Sequence, residues 1–194
     1  MRQDVYSGCL ELNGEEHEET LCAALNYANS LINLRRFAVA KALSRKTITV
    51  ARRVLGESNE LTLLMRWGYA DALYRDADAT LDDLREAVTT LEEAGRIGQR
   101  WLGGDHPFAL SVGKSLRRAR DTLRAREAEA VRVAERDANG AMRRDLDALQ
   151  RRLVLLAARE AGTVQMAEVE ALQRDFHALE RRFEASEART VDSD

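Results

Sequence analysis

Three histidines, two cysteines and 33 carboxylates are the side chains of this 194-residue chain best suited to chemistry. His17 stands in "EEHEE" at 15–19, without the second histidine four residues on that lets an H-E-x-x-H helix hold zinc. His106 stands in "LGGDHPFAL" at 102–110, beside the chain's one proline, with no cysteine or carboxylate arrangement specific to zinc. The glycines of that stretch lack the lysine and hydroxyl of a phosphate loop, and no strand precedes them. Ser44, Ser58 and Ser111 lack the G-x-S-x-G turn that presents a nucleophile. Cys9 and Cys22 form neither a metal spacing nor a disulfide framework. Cys22, beside Leu21 on a helical stripe, is expected to be a small core residue. These residues predict no catalytic group, no metal site and no cofactor: a non-enzyme.

Recognition chemistry is better represented. Asn26, Asn29 and Asn33 are spaced by three and four, which puts them on one helical face. Each amide offers a donor and an acceptor, the pair needed to read the N–H and C=O of an extended peptide.

The elements that must position this face follow from composition and rhythm. Hydrophobic residues make up 45%, aromatics only 5% and charged residues 32%, with one proline, which predicts an all-α chain. Net charge is −3, so nucleic acid has no global electrostatic attraction to it. No apolar run reaches membrane-spanning length and no secretory h-region opens the chain, so no membrane insertion and a cytoplasmic location are expected. "LNGEEHEETL" at 12–21, "LGESNELTLL" at 55–64 and "LGGDHPFALS" at 102–111 repeat one pattern. Gly14 to Gly56 is 42 residues and Gly56 to Gly103 is 47.

Between these markers lie two helical stripes per unit. In the first unit they are Leu21, Leu25, Ala28 and Leu31, then Ala40, Leu43, Ile48, Ala51 and Val54. The second unit supplies Leu63 or Leu64, Trp67, Ala70, Leu73 and Tyr74, then Leu81, Leu84, Val88 and Leu91. The five extra residues are expected in "EEAGRIGQRWLGG", where Gly95 and Gly98 end, kink or extend the helix. A third unit opens with a helix over about 107–124, with Asp105 as its cap and Pro107 in its first turn. A single helical pair cannot bury its stripe, so adjacent pairs stack into a solenoid.

With "LNYANSLINLRRFAVA" at 25–40 and "WGYADALYRDADATLDD" at 67–83, residues 12–124 resemble tetratricopeptide repeats of the 42-residue type found in kinesin light chains. Asn26, Tyr27 and Ala28 match the start of the family's helix A core. Phe37 and Ala40 match its helix B entry, and His106 and Pro107 match its repeat boundary. Arg35 stands where the family's turn glycine usually falls. The resemblance implies that the first helix of each unit, helix A, lines a concave peptide groove, with Asn26 reading peptide backbone. The repeat equivalents of Asn26, Asn29 and Asn33 are Gly68, Asp71 and Arg75, then Ser115, Arg118 and Thr122. The peptide-binding candidates are accordingly Asn26, Asn29, Asn33, Asp71, Arg75 and Arg118. The two arginines suit an acidic side chain, which Asp71 opposes.

Beyond residue 124 the rhythm becomes heptad-like. Met142, Leu146, Leu149, Leu153 and Leu156 form one seam, and Val169, Leu172, Phe176, Leu179 and Phe183 another. The 13-residue step between them breaks register. Gly162, in "AREAGTVQ" at 158–165, either turns an antiparallel hairpin or lies within one long helix. The expected organisation is repeats over 12–124, a helical hairpin or coiled segment over 125–186, and a flexible tail over 187–194. The expected function is non-catalytic binding of a peptide or partner protein on the helix A face. The alternative is an oligomerisation module built on the C-terminal helices.

Overall fold

The computed structural model describes residues 1–157 and 166–191. Among them are seven helices and no strand: α1 (Arg2–Asn13), α2 (Glu18–Asn33), α3 (Phe37–Val54), α4 (Glu60–Tyr74), α5 (Leu81–Leu102), α6 (Pro107–Ala157) and α7 (Met166–Val191). The chain is an all-α, repeat-like protein that divides into two compact units, Met1–Glu127 and Ala128–Asp194.

In the first unit each helix packs on the next from α1 to α5, and α2 also touches α4. Alternation follows from the linkers. Gly14, Gly56 and Gly103 all adopt positive φ (81°, 91° and 96°), a region glycine enters without a Cβ clash. Three residues after each glycine comes a helix N-cap. His17 Nδ1 accepts from the Glu19 N–H (3.3 Å), Asn59 Oδ1 from Leu61 (2.8 Å) and His106 Nδ1 from Phe108 (3.2 Å). The cap of α6 is therefore His106 and not Asp105, because Pro107 is already the first helical residue and the cap must directly precede it. These caps open α2, α4 and α6, which we call A-type helices; α1, α3 and α5, ending at the glycines, are B-type.

The core follows the two stripes. Leu63, Leu73, Leu84, Leu91 and Val112 are buried in one cluster with Tyr69, Tyr74 and Phe108. Leu21, Ala24, Val50, Ala51 and Met65 form a second cluster, and Leu31, Ile32, Ala40 and Ala72 a third. At roughly 25 cal/mol per Å² of apolar area removed from water, this burial dominates the unit's stability. Polar ties bind successive helices. Arg45 Nε donates to the Tyr69 hydroxyl (2.5 Å), which donates to Glu86 (2.6 Å), linking α3, α4 and α5. Arg66, almost buried in α4, pairs with Glu57 and Glu93.

Several expectations are corrected. A helix, α1, precedes residue 12 and packs on α2, with Thr20 Oγ1 donating to the Cys9 carbonyl (3.1 Å) and Tyr6 stacked on Tyr27. The five extra residues do not all fall before Leu102. Caps His17 and Arg36 are 19 residues apart, whereas Asn59 and Thr80 are 21 apart, so two are gained before α5, where α4 is one residue shorter than α2 and the turn, 75–80 against 34–36, is three longer. The other three are gained between Thr80 and Gly103, where α5 has 22 residues against 18 in α3 and runs through Gly95 and Gly98 without ending. Gly98 is buried because the Phe108 ring occupies the space its Cβ would take. Val54, expected on a buried stripe, is exposed at the end of α3.

In the second unit, α6 beyond Glu127 and α7 form an antiparallel pair. Ser186 donates to Asn139 (2.5 Å), and the Arg143 guanidinium lies over the Phe183 ring. Met142, Leu146, Leu149 and Leu153 are half-buried, separated by exposed positions. Facing them, Leu172 is buried and Val169, Phe176, Leu179 and Phe183 are half-buried. Gly162 and its neighbours at 158–165 lie outside the described residues. Residues 187–191, expected as a flexible tail, continue α7, since "EAR" favours helix and Arg189 Nε bonds the Ala185 carbonyl.

Candidate functional site

An open groove of about 310 Å³ runs between α2 and α4 in the first unit. Leu25, Asn29, Ile32 and Asn33 line it from α2; Leu64, Trp67, Gly68, Asp71 and Arg75 line it from α4. The helical period explains this convergence. Leu25, Asn29 and Asn33 recur every four residues, as do their equivalents Trp67, Asp71 and Arg75. Gly68 sets the closeness of the two helices: a Cβ there would stand 3.3 Å from Asn29 Oδ1 and 3.7 Å from Leu25 Cδ1.

Four of the six expected recognition residues, Asn29, Asn33, Asp71 and Arg75, thus meet in one groove. Asn26 and Arg118 are exposed but are not among its lining. Asn26 faces α1 instead: its carbonyl accepts from Arg2 (3.2 Å), and its side-chain amide donates to Cys22 Sγ (3.8 Å). Cys22 is exposed, not core, because it lies on this polar side of α2 and not under Leu21.

Asp71 is held in a network. Its Oδ1 accepts from the Tyr74 hydroxyl (2.8 Å) and from Ser115 Oγ (3.4 Å); its Oδ2 accepts from Arg75 (3.2 Å). Ser115 is buried and also accepts from Trp67 Nε1 (2.9 Å). The carboxylate expected to oppose anion pairing by Arg75 is therefore already engaged by three donors. Burial pushes the Tyr74 hydroxyl up; Ser115 and the Arg118 charge pull against this, while Asp71 reinforces it. The phenol thus remains a neutral donor through neutral pH.

Trp67 is the lining residue that a core-directed reading passes over. Its ring meets Phe108 edge-on at 6.3 Å, while its indole N–H is fixed by Ser115. Its spacing of four from Asp71 was the available signal. Polar amides at one side, aliphatic side chains below and a fixed indole make a surface suited to an extended chain with one apolar side chain. Among the described residues no three histidine, cysteine or carboxylate groups converge to hold a metal, and no helix is long and apolar enough to cross a membrane.

Comparison with family models, with curated proteins and with solved structures finds no match to this chain.

Proposed function

We propose that the chain is a non-catalytic, cytoplasmic protein-interaction scaffold of tetratricopeptide type, binding a peptide segment of a partner in the α2–α4 groove. The observation that carries this reading is the convergence of Asn29, Asn33 and Arg75 around Trp67 above a glycine floor at Gly68. Asn29 and Asn33 supply paired donors and acceptors for peptide backbone. Leu25, Leu64 and Trp67 take an apolar side chain, and Arg75 takes a polar one. Repeated glycine-to-cap linkers and contact between α2 and α4 support the tetratricopeptide reading.

A displayed random-peptide library panned against the full chain tests it. Enriched peptides should bind the parent chain and lose at least tenfold in affinity to Gly68→Leu, which fills the groove floor while leaving helicity intact. Peptides that bind the folded Gly68→Leu variant as tightly as the parent would overturn the assignment.

A second reading rests on the half-buried seam of α6 and α7, a face that a two-helix pair covers incompletely. Under it the C-terminal helices oligomerise, and deleting 140–186 abolishes self-association measured by sedimentation. Association unchanged by that deletion rules this reading out.

A further inference from the structure

The groove residues of α4 are also gripped from α6. Counted from the linker glycines Gly14, Gly56 and Gly103, Gly68 of α4 and Ser115 of α6 are equivalent positions. By the same count Leu25 is equivalent to Trp67, and Asn29 to Asp71. A Cβ on Gly68 would stand 3.7 Å from Leu25 Cδ1 and 3.3 Å from Asn29 Oδ1. Ser115 Oγ stands 2.9 Å from Trp67 Nε1 and 3.4 Å from Asp71 Oδ1. The same approach between neighbouring A-type helices thus occurs twice. Bare backbone meets α2 at the first, and a hydroxyl meets α4 at the second.

Counting protons fixes the direction of each bond. An indole N–H only donates and an ionised carboxylate only accepts, so Ser115 Oγ accepts from Trp67 and gives its single proton to Asp71 Oδ1. Tyr74 donates to the same oxygen at 2.8 Å, and Arg75 donates to Oδ2 at 3.2 Å. One relay therefore runs from the indole, through a hydroxyl of α6, to the carboxylate that holds the guanidinium. Trp67, Asp71 and Arg75 all line the groove, whereas Ser115 is 5% exposed and lies outside the lining.

We propose that Ser115 is a positioning residue of the peptide groove: it sets the Trp67 indole and the Asp71–Arg75 pair for a peptide that it does not touch. This rests on the groove reading and deepens it, making α6 a working part of the site. Phe108 meets the Trp67 ring edge-on and offers the indole N–H no acceptor, so the hydroxyl is the polar tether of that ring. Without it the ring is free to leave its rotamer, and Asp71 loses a donor and draws more heavily on Arg75. Both groups would then have to be ordered again when peptide binds, a cost that a preset groove avoids.

The test starts from the full chain carrying Trp101→Phe, in which Trp67 supplies the one indole N–H resonance. Library-selected peptides are titrated calorimetrically into this parent and into its Ser115→Ala, Ser115→Thr and Gly68→Leu derivatives, each verified as folded by circular dichroism. Ser115→Ala should weaken binding about tenfold, the consequence of one lost hydrogen bond that leaves a donor unpaired. Its Trp67 indole proton should also exchange with solvent faster than the parent's, read by nuclear magnetic resonance on the free chains. Ser115→Thr, which keeps a hydroxyl on the same carbon, should restore both. A hydroxyl of merely structural value would shift the unfolding midpoint and leave affinity and indole exchange alone. An unprotected indole proton in the free parent, parental affinity in folded Ser115→Ala, or a threonine variant that behaves like the alanine one would each overturn the proposal. Peptides weakened by Gly68→Leu but not by Ser115→Ala would keep the groove and remove the relay, whereas peptides indifferent to Gly68→Leu would remove both.

Discussion

Two threonines at equivalent places in successive A-type helices have opposite energetic consequences. Thr20 Oγ1 donates to the Cys9 carbonyl of α1 at 3.1 Å, while Thr62 Oγ1, fully buried in α4, has no hydrogen-bond partner among the described residues. A buried polar group without a partner costs about 1–3 kcal/mol, and a satisfied one contributes about 1 kcal/mol. Thr20→Val should therefore destabilise the protein by about 1 kcal/mol and Thr62→Val should stabilise it by about as much. Urea denaturation midpoints measure both, and shifts of the same sign would show that Thr62 is satisfied. At this scale the sequence was readable where backbone geometry dictates residue type. Arg35, in the turn between α2 and α3, has φ 57°, the left-handed value that a turn glycine serves. It was not readable at Asn26, because its neighbour Arg2 arrives from a helix whose stripe is too weak to announce itself.

Between elements, glycine and tyrosine show how closeness is arranged. A Cβ on Gly98 would lie 2.6 Å from Phe108 Cε1, and Phe108 is buried against Trp67. Gly98→Ala should cost about 1–3 kcal/mol through overpacking, despite alanine's advantage of about 1 kcal/mol in a helix. Gly113→Ala, with open space around it, should be stabilising, and thermal unfolding of the two variants separates wedge from propensity. The α3–α4–α5 tie adds a pH signature. Burial first, then the bond to Glu86, pushes the Tyr69 hydroxyl up to about 12, against the pull of Arg45. The folded state thus keeps a proton that the unfolded chain loses near pH 10, so stability is complete below about pH 10 and falls as pH rises toward 12. Tyr69→Phe should flatten that alkaline limb in denaturation midpoints, leaving the smaller part due to Tyr74, whose hydroxyl is also raised. An unchanged slope contradicts the assignment. Helix order was legible because apolar residues recur at helical spacing. The redistribution of the five-residue excess was not, since a longer turn and a longer helix both add residues without altering that period.

For the molecule as a whole, histidine has changed meaning. His17 and His106 recur at the unit boundaries as helix caps, a role Asn59 fills between them. The repeat was legible because its markers are backbone requirements, positive φ and unsatisfied N–H groups, which few residue types meet. The groove was legible in part: Asn29, Asn33, Asp71 and Arg75 share it, but hydropathy assigned Trp67 to the core when its ring serves both core and groove. Binding in the groove requires that a peptide lie against that ring. The chain has two tryptophans, and Trp101 is exposed at the end of α5, so Trp101→Phe leaves Trp67 as the one reporter. Titrating this variant with a library-selected peptide should give a saturable change in Trp67 emission, with the dissociation constant obtained by calorimetry. Calorimetric binding that leaves Trp67 emission unchanged would place the peptide outside the α2–α4 groove.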